Sequence, residues 1–213
     1  MPRLLVLSAI FFLASCSNIP DAAGPSSDAP EYAFNPTLPF KAADSYEQVL
    51  HIWKTAEDIN AWIAANFAYD LRRAFQLSEV QRTQNEQLAI YTPAEFFELK
   101  AGVCVDLARF GVETLKQIDP QNDPKYLLVD FDPMQIAPKT LRLHWLVSFK
   151  RDGQSYFFAD SKRPGHIAGP YNNTQEFIND YARYRGRKIV AFREVESFQK
   201  QGRTQALKRR APE

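Results

Sequence analysis

Three residues of this 213-residue chain could together break or make an amide bond. Cys104 opens a helix-like segment, Gly102-Val103-Cys104-Val105-Asp106-Leu107-Ala108, while His144 and Asp160 follow on strand-like segments, Leu143-His144-Trp145 and Phe158-Ala159-Asp160. A cysteine attacks a carbonyl as its thiolate, and a free thiol, with a pKa of about 8.5, is little ionised at neutral pH. A helix N-terminus and a nearby imidazolium both lower that pKa. The spacing supplies the helix start for Cys104, so the imidazole must come from elsewhere in the chain. A carboxylate holding one ring nitrogen of His144 would leave the other facing the thiol. Each residue also has a plainer role open to it. A free cysteine is often a small buried hydrophobe, His144 could bond locally on its strand, and Asp160 could start the turn towards Lys162 and Pro164. Their order and the helix-start position favour the reactive set.

The elements that must position them are legible as periodicities. Ser45 to Phe67 carries Val49, Ile52, Trp53, Ala56, Ile59, Trp62 and Ile63 at helical spacing and predicts one helix, with His51 beside the stripe as a structural or exposed residue. Leu71 to Leu88 is polar and fits either a helix or a surface excursion. Thr92-Pro93-Ala94-Glu95 is a helix start, with a capping threonine, proline at the first helical position and a glutamate able to bond back to the cap. That helix should stop near Lys100 at a turn through Ala101-Gly102. The next begins at Val103 or Cys104, buries Leu107, Phe110, Gly111, Thr114, Leu115 and Ile118, and ends at Asp119-Pro120. The period then changes to two: a strand at Tyr126 to Phe131, a second with Leu141, Leu143, Trp145, Val147 and Phe149 on one face and Arg142, His144, Leu146 and Ser148 on the other, and a third through Tyr156, Phe158 and Asp160. Gln175 to Tyr184 predicts a helix and Lys188 to Val195 a last strand. Helices first, then mostly antiparallel strands, make an α+β fold.

The turn between the second and third strands decides the chemistry. A three-residue loop, Arg151-Asp152-Gly153, pairs Lys150 with Gln154 and sets His144 opposite Asp160 on one face. A two-residue loop, Asp152-Gly153, shifts the register by one and sends the two side chains to opposite faces. The sequence allows both, and the three-residue loop is preferred because it gives a single functional face.

Only two cysteines are present. Cys16 ends Leu13-Ala14-Ser15-Cys16 after Arg3 and an apolar run, Leu4 to Leu13, too short to span a bilayer. This resembles the lipobox of bacterial lipoproteins, which implies a signal peptide over 1–15, cleavage before Cys16, and acylation of Cys16 with palmitate-type chains as the membrane anchor; an ordinary secretory signal is the alternative. Ser17 stands where that family places an inner-membrane retention aspartate, so the resemblance points to the outer membrane, facing the periplasm. Residues 16–40, rich in Ser, Pro, Ala, Gly and Asp, are expected to be a flexible tether without chemistry. Residues 41–200 are long enough for one domain, and 201–213 form a basic, mobile tail. With Cys16 acylated, Cys104 has no partner for an intramolecular disulfide, and a lone thiol in an oxidising compartment must be buried or used. Without residues 1–15 basic and acidic side chains balance, so nothing suggests a nucleic-acid partner.

The three boxes around Cys104, His144 and Asp160 resemble the transglutaminase-like, papain-type superfamily, and in particular its bacterial transglutaminase-like cysteine peptidases, over roughly residues 50 to 165. The resemblance implies N-terminal helices with the cysteine helix packed on an antiparallel sheet. It also implies Cys104 as nucleophile, His144 as base and Asp160 as its orienter, with Asp106 as first-turn helix support. Two departures stand out: Ser161-Lys162-Arg163-Pro164 replaces the family's usual proline turn, and Ala101 replaces a frequent arginine. The oxyanion donor has no motif, and the Cys104 N–H, Tyr69 and Tyr91 are candidates.

The expected function is therefore a lipid-anchored envelope enzyme of acyl transfer acting on a protein or peptide substrate through a thioester, a peptidase or amidase, with no cofactor and no calcium-loop motif. Transfer to an amine is the alternative within the chemistry, and an inactive binding module on the same fold the alternative outside it. A metal site from Cys104, His144 and Asp160, with His166, lacks the close-spaced ligand pairs of structural zinc sites and is not expected. The sequence leaves the oligomeric state open.

Overall fold

The structure is a computed structural model that describes residues 28–31, 35–83, 88–136 and 139–199, with side chains described except at 78–83, 133–136 and 139–142. The signal segment, Cys16, residues 17–27 and the tail 201–213 lie outside the described residues. No described helix is long and apolar enough to cross a membrane.

The first apolar stripe forms two helices rather than one, α1 (Tyr46–Ile52) and α2 (Ala56–Asn66). Ser45 and Thr55 each sit in extended backbone and accept an N–H from the turn they start, so the second cap interrupts the periodicity. A two-residue strand β1 (Ala68–Tyr69) leads to α3 (Leu71–Thr83), which settles the ambiguous polar stretch as helix. The helix α4 (Pro93–Leu99) begins with the expected capping box between Thr92 and Glu95. Its end differs from expectation: Lys100, at φ 55, takes the left-handed position, and Ala101–Gly102 is not a turn but strand β2, parallel to β1. Gly102 cannot carry a side chain, because a Cβ there would lie 2.9 Å from Phe96 and 3.0 Å from Asp106.

The cysteine helix α5 (Cys104–Ile118) is followed by a 3₁₀ turn (Pro120–Asn122), β3 (Lys125–Ile136), β4 (Lys139–Arg151), β5 (Gln154–Phe158), β6 (Ala168–Tyr171), α6 (Thr174–Arg185) and β7 (Ile189–Val195). Strands β3 to β7 make one antiparallel sheet in the order β6-β5-β4-β3-β7. The fold is thus α+β with the cysteine helix against an antiparallel sheet. Strand β6, short and broken by Gly169-Pro170, carries no alternating pattern that would have announced it.

Two layers cover the sheet. Val147, Phe149 and Phe158 join Leu107, Phe110 and Leu115 of α5 and the aromatic cluster of Trp53, Trp62, Phe96 and Phe97. Trp62 stacks on Phe97 at 5.1 Å and lies 5.0 Å from Phe110, so α2, α4 and α5 meet through these rings. Gly111 lets α5 approach: a Cβ there would come within 2.8 Å of Val147 and 3.3 Å of Ala159. The opposite face, with Leu127, Val129, Leu146 and Phe157, is closed by Phe177, Ile178 and Tyr181 of α6. Both faces are therefore buried, and the face of β4 carrying His144 and Ser148 is covered by α6 rather than by solvent.

The β4–β5 turn has two residues, not three. Arg151 pairs with Gln154, and Asp152 and Gly153 both have positive φ, 51 and 76, as a type I′ hairpin requires. Val147 then pairs with Phe158, and a straight continuation would set Asp160 opposite Trp145, on the wrong face. The chain leaves the strand first. Ala159 adopts φ 56, so Phe158 and Ala159 both face α5 and the alternation resets by one residue. Asp160 lies beyond the end of β5 and turns to the face of His144. The preferred loop is corrected, and so is the inference that a two-residue loop would separate the pair.

Candidate active site

Cys104 is the first residue of α5. Val103 precedes it in extended backbone and has no side chain able to cap. The capping work is done from inside the helix by Asp106, fully buried, whose Oδ2 accepts the Val103 N–H at 3.1 Å. The same carboxylate takes Arg73 through two parallel contacts, Nε to Oδ2 and Nη2 to Oδ1, both at 2.7 Å, and the Tyr91 N–H at 3.0 Å. Arg73 also donates to Ala89 O at 2.6 Å and lies 3.6 Å from the Tyr91 ring centroid. Asp106 thus gathers α3, the segment before α4, and the start of α5. Its charge, two residues from Cys104, is neutralised by Arg73, so it does not oppose a thiolate there. The N-terminal dipole favours an anion by only about 0.3–1 kcal/mol, less than one pKa unit at about 1.4 kcal/mol per unit. An activated thiol needs the imidazole as well.

His144 supplies it from β4. Its Nε2 lies 3.0 Å from Asp160 Oδ1, which also accepts the Lys162 N–H at 2.9 Å. Tyr181 of α6 stacks on the imidazole at 6.1 Å. The sulfur of Cys104, one ring nitrogen of His144 and a carboxylate oxygen of Asp28 all lie within 4.8 Å of one another. The structure thus brings Cys104, His144 and Asp160 to one place, with Cys104 a free, 9% exposed thiol.

Asp28 was not foreseen. It belongs to the stretch expected to be a tether without chemistry, yet Asp28 and Ala29 are each 7% exposed. Asp28 Oδ1 stands 3.2 Å from His144 Nδ1, at ion-pair distance but off the hydrogen-bond direction, and accepts Arg185 Nη2 at 2.7 Å. Its backbone carbonyl accepts Ser161 Oγ at 2.8 Å, and the Glu31 N–H donates to Lys162 O at 3.1 Å. Residues 28–31 therefore strap the site. Arg185, the last residue of α6, was equally absent from the sequence reading; it is 1% exposed and also donates to the Tyr181 hydroxyl at 2.9 Å.

The charges interlock. Burial pushes the His144 imidazole down, but Tyr181, Asp28 and Asp160 outweigh it and hold its pKa well above the usual value. Burial works to raise both carboxyls, yet His144 and Arg185 hold Asp28 and Asp160 below the ordinary range. The carboxylates contribute stability that is present above about pH 3.9 and is lost as pH falls through their lowered values. The imidazolium contributes stability fully present below about pH 6.5 and lost as pH rises through its raised value. The strapped site is held across neutrality and loosens at both extremes.

The spacing of Asp28, Cys104 and His144 would suit a metal, but the Arg185 guanidinium, 2.7 Å from Asp28 Oδ1, already puts a cation on that carboxylate. The group is built around an anion between two cations. Asp160 bonds the other nitrogen and is not part of it, and His166 lies exposed in its loop, its N–H on Arg163 O at 3.1 Å. Of the two tyrosines considered as oxyanion donors, Tyr91 is engaged with Arg73. Burial, with Asp28 and Cys104 close by, pushes the Tyr69 phenol well up and keeps it protonated. The β1–β2 ladder pairs Tyr69 with Gly102, next to the cysteine turn. A cleft of about 370 Å³ is lined in part by Arg163, Tyr171, Phe177, Tyr184 and Tyr181, the ring that stacks on the imidazole, and has the volume of a small-ligand pocket.

Compared with known proteins, residues 46–190 match the sequence model of a family described as a transglutaminase-like domain. That span holds Cys104, His144, Asp160 and Arg185 and excludes Asp28. No curated protein matches the chain.

Proposed function

We propose that this chain, which belongs to the transglutaminase-like domain family, is a cysteine enzyme of acyl transfer whose default reaction is hydrolysis of a peptide bond or side-chain amide. One observation carries the reading: an imidazole bonded to Asp160 through Nε2 has a ring nitrogen within 4.8 Å of a thiol at a helix N-terminus, all three side chains being buried. The Cys104 thiolate attacks the carbonyl carbon, whose π electrons move to oxygen. Collapse expels the amine, which takes the proton held by His144, and leaves a thioester. Water, deprotonated by His144, then releases the acid; an amine acceptor in its place would make the reaction a transglutamination. Asp160 keeps the imidazole in the required tautomer. The protonated Tyr69 phenol and the Cys104 N–H are the candidate donors to the oxyanion.

The test is the rate of Cys104 alkylation by iodoacetamide against pH, in the full chain carrying Asp28→Ala so that no carboxylate stands at the thiol. Labelling should rise far below the free-thiol value of about 8.5, and adding His144→Ala should return the inflection to it. Slow labelling that rises only near that value in both chains would leave a buried, unreactive thiol and the binding-module alternative.

The chain is further proposed to be a lipoprotein of the bacterial envelope, anchored through Cys16 at the outer membrane and facing the periplasm. The support is the apolar run ending in Leu13-Ala14-Ser15-Cys16. Cells fed radiolabelled palmitate should incorporate it into the protein, and Cys16→Ser should abolish the label and move the protein to the soluble fraction. A label that survives Cys16→Ser would rule the anchor out.

A further inference from the structure

We infer that Arg185, together with the imidazole of His144, forms a carboxylate-binding subsite beside the Cys104 thiol, and that Asp28 of the chain's own N-terminal segment is its resident occupant. The inference rests on the cysteine-enzyme reading and names the ligand chemistry of the same site.

Three observations carry it. First, a nearly fully buried guanidinium at the end of α6 places Nη2 2.7 Å from Asp28 Oδ1, and a carboxylate oxygen of the same residue lies within 4.8 Å of the sulfur. A buried cation is retained where an anion meets it, and this one is aimed at the point where an acyl group would react. Second, the anion comes from outside the span that defines the domain. Residues 46–190 contain Arg185, His144 and Cys104, whereas Asp28 arrives on a separate segment. Third, that segment is held as a bound peptide is held: through backbone groups, Asp28 C=O to Ser161 Oγ and Glu31 N–H to Lys162 C=O, with one side chain inserted. Arg185 is fixed for this task by the Tyr181 hydroxyl and by the rings of Phe131 and Tyr181, 5.1 and 5.6 Å from its guanidinium carbon.

Two sources offer such a carboxylate. A peptide substrate can carry an Asp or Glu side chain beside the reacting carbonyl, or the acid released by hydrolysis can rest there as product. Both must displace Asp28, so the strap keeps the thiol covered until a carboxylate competes for Arg185.

Iodoacetate and iodoacetamide test this, because in both the thiolate displaces iodide and only iodoacetate places a carboxylate within a few ångströms of the sulfur. In the full chain with Asp28→Ala, Cys104 should prefer iodoacetate by about 10-fold or more relative to glutathione under the same conditions, the factor a charge-assisted hydrogen bond confers. The wild-type chain should react with iodoacetate at least about 10-fold more slowly than Asp28→Ala, since its own carboxylate fills the subsite. Adding Arg185→Gln should remove most of the preference. Arg185→Met, uncharged and of similar length, gives the same reading if the glutamine chain does not fold, as judged by its melting transition.

Two capped peptides then separate the sources by protection against iodoacetamide. One has an internal aspartate and an amidated C-terminus; the other is neutral with a free C-terminal carboxylate. Protection by the first assigns the subsite to an acidic substrate, and by the second to the product acid. If Asp28→Ala labels fast but shows no preference for iodoacetate, the subsite is refuted while the cysteine enzyme stands. If the preference survives Arg185→Gln or Arg185→Met, the imidazolium alone accounts for it and Arg185 has no such role. If Cys104 is inert to both reagents in every chain, both readings fail.

Discussion

Replacing Asp160 with asparagine is expected to lower acyl transfer by about 10³–10⁴-fold, the scale on which an orienting carboxylate acts in such triads. The substitution is nearly isosteric. An amide oxygen in the place of Oδ1 could still accept the Lys162 N–H, now at 2.9 Å, so the segment after β5 should keep its course. What disappears is the negative charge 3.0 Å from His144 Nε2. The imidazole pKa, held up by Asp28, Asp160 and Tyr181 against burial, then falls. Less imidazolium faces Cys104 near neutrality, and the thiolate loses its counter-ion. The asparagine can also turn its NH₂ group towards Nε2 and impose the wrong tautomer. Alkylation of Cys104 by iodoacetamide at pH 6, in the Asp28→Ala background, should therefore slow by about one to two powers of ten, each power being one pKa unit. The melting temperature should fall by only a few degrees. Unchanged alkylation, with folding intact, would remove Asp160 from the mechanism.

How much of this site was legible in the sequence depended on whether a signal is local. The helix start at Cys104 and the strand at His144 were local: capping chemistry, a stripe at helical spacing, and a strict period of two. The pairing of His144 with Asp160 was not. It was expected from a three-residue turn, and it exists with a two-residue turn because Ala159 takes a left-handed conformation that few residues other than glycine adopt. Nothing in Phe158-Ala159-Asp160 marks that position; only packing of the Ala159 methyl group against Gly111 of α5 shows why it is held. The cap at Thr55 was a local signal overlooked because the apolar stripe ran through it. Arg73, Arg185 and Asp28 were invisible for a different reason. Each is a charged residue in a polar stretch, where a solvated position is the ordinary expectation, and each is buried by a partner distant in sequence: 33 residues for Arg73 and Asp106, 157 for Arg185 and Asp28. An unusual count of charges near a site is no guide to them. Asp106 reads in the sequence only as support for the first turn of α5; its burial, which demands a cation, shows only in the structure.

That carboxylate should carry a large stability effect. Asp106→Ala should cost about 3–5 kcal/mol, the scale for breaking a buried ion pair by removing one partner. Arg73, with a side chain 5% exposed, would be left as a buried cation without Asp106, and the N–H groups of Val103 and Tyr91 would lose their acceptor. At roughly 2–4 °C per kcal/mol for a domain of this size, the melting temperature should drop by about 6–20 °C. Arg73→Ala removes the other partner and strands the carboxylate instead, so the two losses describe one interaction. The double variant should therefore be far less destabilised than the sum of the singles, and a double-mutant cycle should return a coupling of 0.5–3 kcal/mol or above. The effect reaches the chemistry through position, because Asp106 is what ties Val103, and with it the first turn of α5, to the α3 and α4 side of the site. In whatever fraction of Asp106→Ala remains folded, in the Asp28→Ala background, iodoacetamide labelling of Cys104 should lose its low-pH component even though Cys104, His144 and Asp160 are all intact. Additive losses in the cycle, or a normal labelling profile in the folded variant, would show that Arg73 and Asp106 are two independent surface-like charges rather than the clamp that aims the thiol.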